Sequence, residues 1–266
     1  MRTVSSSHSW LDLVTLDAAD PRTVAQFWCA FACLRSQLNE DDGRWMVLED
    51  DSGHRVIGLQ RSDPRELAAR SVSRVMLDVR CADGTLAATI ARAVELGANL
   101  ESHARSGAAM LIDPGGTRFR LRASGTEPLG VTFDVATFGV LDPSASAEFW
   151  CAAAGVVQLH GHGNERAVLG TSDGIRLVGF ERASAEAIAA NMRARVHIDL
   201  ECLLPHFDAE VDRLIDLGAV RLGAKRVEHF AWGQILVDPD GLVFCQNAYT
   251  ASELASRLSP ATARGR

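Results

Sequence analysis

The stretch Val196-His197-Ile198-Asp199-Leu200-Glu201 alternates apolar and polar residues with a period of two. In a strand that period sends the two sets to opposite faces, so Val196, Ile198 and Leu200 are expected to pack inward while His197, Asp199 and Glu201 share the other surface. A histidine beside a carboxylate on one face suits a ligand-binder or a general base, because an unperturbed imidazole titrates near ~6.5. The plainer reading is a histidine hydrogen-bonded to Asp199 or to a neighbouring strand. A second set, Met76, Asp78 and Arg80, alternates in the same way, and Arg118, Arg120 and Arg122 alternate along another expected strand. If these converge, Arg80 and Arg120 could hold a carboxylate or phosphate through paired hydrogen bonds. A solvated strand face with Asp78 pairing one arginine is the favoured alternative. Trp232, with His229 and Phe230 nearby, could stack on an aromatic or apolar ligand, or its loop could simply fold over its own sheet. His160-Gly161-His162 lacks further ligands at metal spacing and reads as a solvent loop. There is no phosphate-binding Gly-x-x-x-x-Gly-Lys loop and no dinucleotide fingerprint between a strand and a helix.

The elements that must position these residues occur twice. Asp20-Pro21, Ala25 and Phe27-Trp28-Cys29-Ala30 return 122 residues later as Asp142-Pro143, Ala147 and Phe149-Trp150-Cys151-Ala152. Arg74, Asp78, Cys81, Arg92 and Leu96-Gly97-Ala98 return 121 residues later as Arg195, Asp199, Cys202, Arg213 and Leu217-Gly218-Ala219. Such self-similarity marks a duplicated fold. Within each copy the order is strand, helix, two or three strands, and then the same again. Asp20 and Asp142 are good helix N-caps, each followed by proline at the first helical position. Val24, Phe27, Trp28 and Phe31 fall at i, i+3, i+4 and i+7, an apolar helix stripe that makes Trp28, and by repetition Trp150, core residues. Further helices are expected from about Thr85 to Leu96 and from Phe207 to Leu217, each closed by glycine. Asp113-Pro114-Gly115-Gly116 and Asp238-Pro239-Asp240-Gly241 read as hairpin turns. The copies are expected at 10–123 and 130–248, joined by a linker from Ala123 to Leu129 and followed by a flexible tail, 249–266.

Composition narrows the classes. The chain has 266 residues, 47% hydrophobic and 23% charged, enough for two globular domains with cores of their own. A net charge of −7 and a pI near 5.6 argue against a nucleic-acid or anionic-membrane partner. No apolar run approaches a membrane span and the start lacks a signal-peptide core, so a cytoplasmic protein is expected. Cys29 and Cys151, like Cys81 and Cys202, are repeat mates without Cys-x-x-Cys spacing, and are expected to be reduced and structural.

Paired strand–helix–strand units with Phe-Trp on the first helix, His197-x-Asp199, Leu-Gly-Ala after the second helix and Asp-Pro-x-Gly in the last hairpin resemble the vicinal oxygen chelate superfamily. That superfamily includes glyoxalase I, bleomycin-resistance proteins, fosfomycin-resistance enzymes and extradiol dioxygenases, and the glyoxalase-like branch is the most similar. The resemblance covers Leu11 to Asn247 and implies an α+β fold, four βαβββ units forming two tandem glyoxalase-like bowls. Each bowl is taken as built from consecutive units, with pairing across copies left open. Where such proteins do chemistry, a divalent metal sits on opening and closing strands, held by His, Gln or Glu. Carried over, these positions fall in the first copy on Leu13, Met76, about Gln60 and Arg120, a set that looks metal-free. In the second copy they fall on Val135, Glu181, His197 and Cys245, with the register at Glu181 uncertain by one residue.

The leading expectation is therefore a small-molecule-binding protein that needs no metal or other cofactor. Its pocket lies in the second copy, with His197, Asp199, Glu181, Cys245 and Trp232 as ligand-binding residues. The rival is a lyase or dioxygenase with one divalent ion (Zn, Ni, Mn or Fe) on His197 and Glu181, with Cys245 or waters in addition. Whether the chain is an enzyme, and whether it is a monomer or homodimer, stays open. A pure assembly scaffold has no positive feature behind it.

Overall fold

The computed structural model describes residues 7–40, 42–68, 74–104, 107–124, 130–189, 195–223, 226–228 and 231–258. The first quarter holds β1 (Trp10–Ala18), α1 (Pro21–Ala32), β2 (Arg35–Glu40), β3 (Trp45–Glu49), β4 (Arg55–Arg61) and the short helix α2 (Pro64–Ala68). The second holds β5 (Val75–Cys81), α3 (Leu86–Glu95), β6 (Asn99–Ala104), β7 (Ala108–Ile112) and β8 (Arg118–Ala123). In the third are β9 (Val131–Val140), α4 (Pro143–Ala154), β10 (Val157–Gly161), β11 (Arg166–Gly170), β12 (Arg176–Arg182) and α5 (Ala185–Ala189). The last contains β13 (Val196–Leu203), a 3₁₀ turn (Leu204–His206), α6 (Phe207–Asp216), β14 (Val220–Arg221), β15 (Arg226–Glu228), β16 (Ala231–Val237), β17 (Val243–Tyr249) and α7 (Ala251–Leu258). The fold is α+β, with the strand–helix–strand unit used four times.

The strands form two mixed sheets. One is ordered β14-β16-β17-β13-β1-β4-β3-β2, with β15 beside β16, and the other β10-β11-β12-β9-β5-β8-β7-β6. The opening and closing strands of a quarter pair in parallel, as in β1 with β4, β5 with β8 and β13 with β17, while the hairpins are antiparallel. The consecutive pairing taken from sequence therefore needs correcting. By strand order the middle two quarters share one sheet, and the first shares the other with the last. By contacts the chain divides into Met1–Leu13, Gly139–Ile188 and His197–Thr262 on one side, and Val14–Phe138, Ala189–Val196 and Ala263–Arg266 on the other.

Local chemistry explains the repeated residues. Asp20 caps α1, accepting from the Arg22 N–H at 3.1 Å and the Thr23 hydroxyl at 2.7 Å. Asp142 caps α4 through the N–H groups of Ser144 and Ala145. Trp28 and Trp150 are fully buried, edge-on to Phe119 and Phe244 with ring centroids 5.3 and 5.1 Å apart. Their N–H groups do something the apolar stripe did not reveal. Each donates at 3.0 Å to the aspartate that opens a hairpin turn, Trp28 to Asp113 and Trp150 to Asp238. The other oxygen of each aspartate takes backbone N–H groups of its own turn, from Gly115 and Thr117 or from Asp240 and Leu242. A helix thus pins a hairpin in each copy. Burial pushes Asp113 up to about 6 even though these donors pull the other way.

Residues 251–258, read from sequence as part of a tail, form a helix. Thr250 and Glu253 close a capping box: the Thr250 N–H reaches Glu253 Oε2 at 2.7 Å, and the Glu253 N–H reaches Thr250 Oγ1 at 3.3 Å. The linker residues 125–129 lie outside the described residues. All six cysteines are free thiols. Burial first, and then the Glu210 charge, push Cys202 up to about 12, so its thiol stays protonated. No helix among the described residues is long and apolar enough to cross a membrane.

Candidate functional site on the last two parallel strands

The parallel register of β13 and β17 sets Asp199 beside Cys245 and Glu201 beside Asn247. Alternation then places His197, Asp199 and Glu201 on one face with Cys245 and Asn247, while Val196, Ile198, Leu200, Phe244 and Ala248 are buried. The antiparallel partner β16 adds Ile235 opposite Cys245 and Gly233 opposite Asn247. One ligand atom each from His197, Asp199 and Cys245 lies within 4.8 Å of the others. His197 Nε2 stands 3.7 Å from Asp199 Oδ2, and their side chains are 14% and 6% exposed. The Asn247 amide donates to the other oxygen, Asp199 Oδ1, at 3.1 Å. This face therefore presents an imidazole, a carboxylate, an amide and a thiol, close together and nearly out of water.

The first copy builds the same strand positions with different chemistry. The register of β5 and β8 sets Asp78 beside Arg120 and Arg80 beside Arg122. Arg120 grips Asp78 with two hydrogen bonds, 2.6 and 3.1 Å, Arg122 adds one at 3.0 Å, and the Thr137 hydroxyl donates at 2.7 Å. Burial opposes ionisation of Asp78, but the hydrogen bonds and charge of Arg120, with Thr137 and Arg122, outweigh it and hold the carboxyl below its ordinary value. Arg80 lies 3.5 Å from Asp134. Both arginines considered for an anion are therefore engaged by buried carboxylates, and Asp78 pairs two arginines where one was expected. Met76 stands where the second copy has His197.

Other sequence candidates are placed elsewhere. Glu181 lies on β12, cross-strand from Arg166, in the sheet that does not contain β13 and β17. It is outside the His197–Asp199–Cys245 group. Trp232 is on β16 and pairs with Ala248, one step out of phase with Cys245 and Asn247. It therefore belongs to the opposite face of that sheet. His229 and Phe230 lie outside the described residues. His160 is on β10, not in a loop, and His162 forms an isolated bridge with Asn164. Asn247 was missed from sequence although it stands two residues after Cys245 and so had to share its face.

A family model described as "Glyoxalase-like domain" matches the chain twice, at residues 13–122 and 131–246. Among solved structures, glyoxalase I from Zea mays superposes with a TM-score of 0.62 at 13% identity, covering 94% of this chain and 95% of that one. A protein described as a dioxygenase, from Bacillus subtilis, gives 0.55 at 15% identity, with 92% and 86% covered. At such identities the likeness is one of fold. No curated protein sequence matches the chain.

Proposed function

Because this chain belongs to the glyoxalase-like domain family and carries the domain twice, we propose that it binds a small molecule on the second copy, at the face of His197, Asp199 and Cys245, without requiring a metal ion. The observation behind this reading is the contrast at equivalent positions. Asp78 is closed off by two guanidinium groups, whereas Asp199 is met by a histidine, an amide and a thiol. A few convergent polar groups beside an apolar wall, here Ile235, suit a small organic ligand. The imidazole can donate or accept a hydrogen bond, and the carboxylate that faces it can stabilise its protonated form.

A second reading has an observation of its own. The 3.7 Å between His197 Nε2 and Asp199 Oδ2 is close to the ~3.4 Å separating two donors on one tetrahedral ion. Imidazole, carboxylate and thiolate together suit Zn or Fe(II) and leave a coordination position open. His197, Asp199 and Cys245 would hold the ion, which would polarise a substrate oxygen as a Lewis acid, the chemistry of a lyase or dioxygenase. Glyoxalase I and dioxygenase folds among the relatives are compatible with it.

Metal content separates the two. Protein purified without chelator or nickel resin, then incubated in turn with Zn, Ni, Mn and Fe(II), is expected to retain no stoichiometric ion. One ion per chain that is lost in His197→Ala would overturn the metal-free reading in favour of the second. Small carboxylic acids, phenols and amides screened by ligand-observed NMR should include binders weakened about tenfold or more by His197→Ala and unchanged by Met76→Ala, its first-copy counterpart. If the two variants behave alike, the second-copy face is not the pocket.

A further inference from the structure

The edge strand β14 turns apolar side chains toward the face that carries His197. Ala248 is buried with Phe207 and Val211 of α6, so this helix covers the side of the sheet opposite Cys245 and Asn247. Arg221 points to the helix side, where it pairs at 2.7 Å with Asp212 of α6. Alternation then sends Val220 and Leu222 to the side of Cys245. The pairing agrees: Val220 lies opposite Val237, and the Leu222 N–H donates to the Ile235 carbonyl at 2.9 Å. Ile235 in turn lies opposite Cys245, and Val237 opposite Val243. Val243 comes one step before the Ile198–Phe244 pair and so stands beside His197. Two rows of side chains therefore cross β14, β16, β17 and β13. One runs Leu222, Ile235, Cys245, Asp199, and the other Val220, Val237, Val243, His197.

Each row is polar at one end and apolar at the other. Ile235, Val237 and Val243 are half-buried, while Val220 and Leu222 stay 64% and 50% exposed. Single exposed apolar residues are ordinary, but these two prolong an apolar strip that starts at the polar cluster, and a contiguous patch asks for an occupant. The first copy lacks the strip. Its Leu96-Gly97-Ala98 and Asp113 align with Leu217-Gly218-Ala219 and Asp238, which puts Asn99 in place of Val220, Glu101 in place of Leu222 and Arg118 in place of Val243. Met110 and Ile112 match Ile235 and Val237 and stay apolar. Glu101 and Arg118 form an ion pair across that surface. Three positions that are polar or charged in one copy are thus apolar in the other, and they are the ones that extend the His197 face.

We infer that the ligand of the His197 face is an elongated amphipathic molecule. An uncharged hydrogen-bonding group, a hydroxyl or an amide, meets His197, Asp199 and Asn247, and an aromatic or aliphatic body lies along Val243, Ile235 and Val237 onto Val220 and Leu222. The inference rests on the second-copy site proposed above and adds the class of its ligand. At the polar end a carboxylate is present and the two arginines of the first copy, Arg120 and Arg122, are replaced by Cys245 and Asn247, so an uncharged group fits there better than an anion. The length follows from the sheet: from β13 to β14 there are three inter-strand spacings of ~4.8 Å, or ~14 Å in all. Each methylene buried along the strip strengthens binding about fourfold, so the apolar body supplies most of the affinity.

Phenol and 4-pentylphenol, and acetamide and octanamide, are the probes, titrated into the full chain and read from its Ile, Leu and Val methyl signals by NMR. The signals missing in Leu222→Gln identify Leu222, and they should move saturably with the long member of a pair. At least one long member should bind about tenfold or more tightly than its short parent. Val220→Asn combined with Leu222→Gln, both at exposed positions, should weaken the long member about fivefold or more and leave the short one unchanged. Leu100→Asn, at an exposed apolar residue of the first copy, should change neither, and His197→Ala should weaken both members of a pair alike. If His197→Ala weakens binding but chain length and the double variant do not matter, the strip is no part of the site, and this inference fails while the site stands. If the long members depend on the strip and not on His197, both fail. If neither long member binds, this inference fails, and the screen described above judges the site separately. Sedimentation at rising protein concentration tests the rival occupant: a dimer that dissociates in the double variant places a second copy of the chain on the strip and overturns the inference.

Discussion

Replacing Asp78 with asparagine should cost far more stability than the same change at its repeat mate, Asp199. Asp78 is 1% exposed at its side chain and receives three hydrogen bonds from two arginines and one from Thr137. Asparagine keeps one acceptor oxygen, but its amide would face the remaining donors, and two guanidinium groups would lose their counter-charge. Removing one member of a buried ion pair costs about 3–5 kcal/mol. Arg120 and Arg122 are 20% and 34% exposed, so water recovers part of the loss and the low end, about 3 kcal/mol, is expected. Asp199 accepts a hydrogen bond from Asn247 and faces a histidine. Asparagine can preserve the former, and a smaller loss of about 1 kcal/mol is expected. Urea denaturation at pH 7, followed by both circular dichroism and tryptophan fluorescence so that coincident transitions establish two-state behaviour, measures the gap of about 2 kcal/mol. The difference has a sign in pH as well. A carboxyl held below its ordinary 3.8 in the folded chain contributes stability that is present above that value and lost as pH falls through the folded one. The gap between wild type and Asp78→Asn should therefore close in acid. If the two variants differ by less than about 0.5 kcal/mol at pH 7, the reasoning that two guanidinium groups make Asp78 costlier to neutralise than Asp199 is wrong.

Trp28→Phe and Trp150→Phe keep the ring packing but remove the N–H that holds Asp113 or Asp238, and each should cost about 1.5–3 kcal/mol in urea denaturation. In the same cluster the Asp113 carboxyl carbon should titrate near pH 6 by NMR. Because that value is raised, the residue's contribution to stability is lost as pH rises through 6, opposite to Asp78. At the end of α1, Cys33 has φ 54°, while its mate Gly155 has φ 66° with open space for 4 Å around the point where a Cβ would stand. Cys33→Gly should therefore leave stability unchanged or raise it by up to about 1 kcal/mol, and Gly155→Ala should lower it by about 1 kcal/mol, both read from thermal unfolding.

Much of the fold was legible because its signals are local and occur twice. Asp-Pro announces a helix start through the chemistry of one capping side chain and one missing N–H, and the structure uses both copies in that way. The helix at 251–258 could have been read by the same logic, since Thr250-x-x-Glu253 is a capping-box signature. Sheet order was harder. A strand's sequence fixes which face is apolar but not which strand lies beside it, so β1 could be recognised without revealing that its sheet also contains β13 and β17. Short strands such as β14 and β15, two and three residues long, offer too few positions for alternation to register. The Trp28–Asp113 bond joins residues 85 apart, and no local pattern encodes it.

For the candidate site, alternation was enough to name the shared face of His197 and Asp199, and it could have named Asn247. Glu181 and Trp232 needed more than alternation, because the one lies in the other sheet and the other on the opposite face of β16, and neither placement can be read from a local pattern. The duplication supplies what a single copy could not. At the opening-strand positions the copies share an aspartate, Asp78 or Asp199, and three of the residues around it differ: Met76 against His197, Arg120 against Cys245, Arg122 against Asn247. An aspartate already present on both strands needs two arginines to be neutralised in place, and the first copy has them. The second copy has a thiol and an amide in place of the arginines, and a histidine in place of Met76. The two copies thus surround one scaffold position with different chemistry, and it is this difference that the proposed second-copy site rests on.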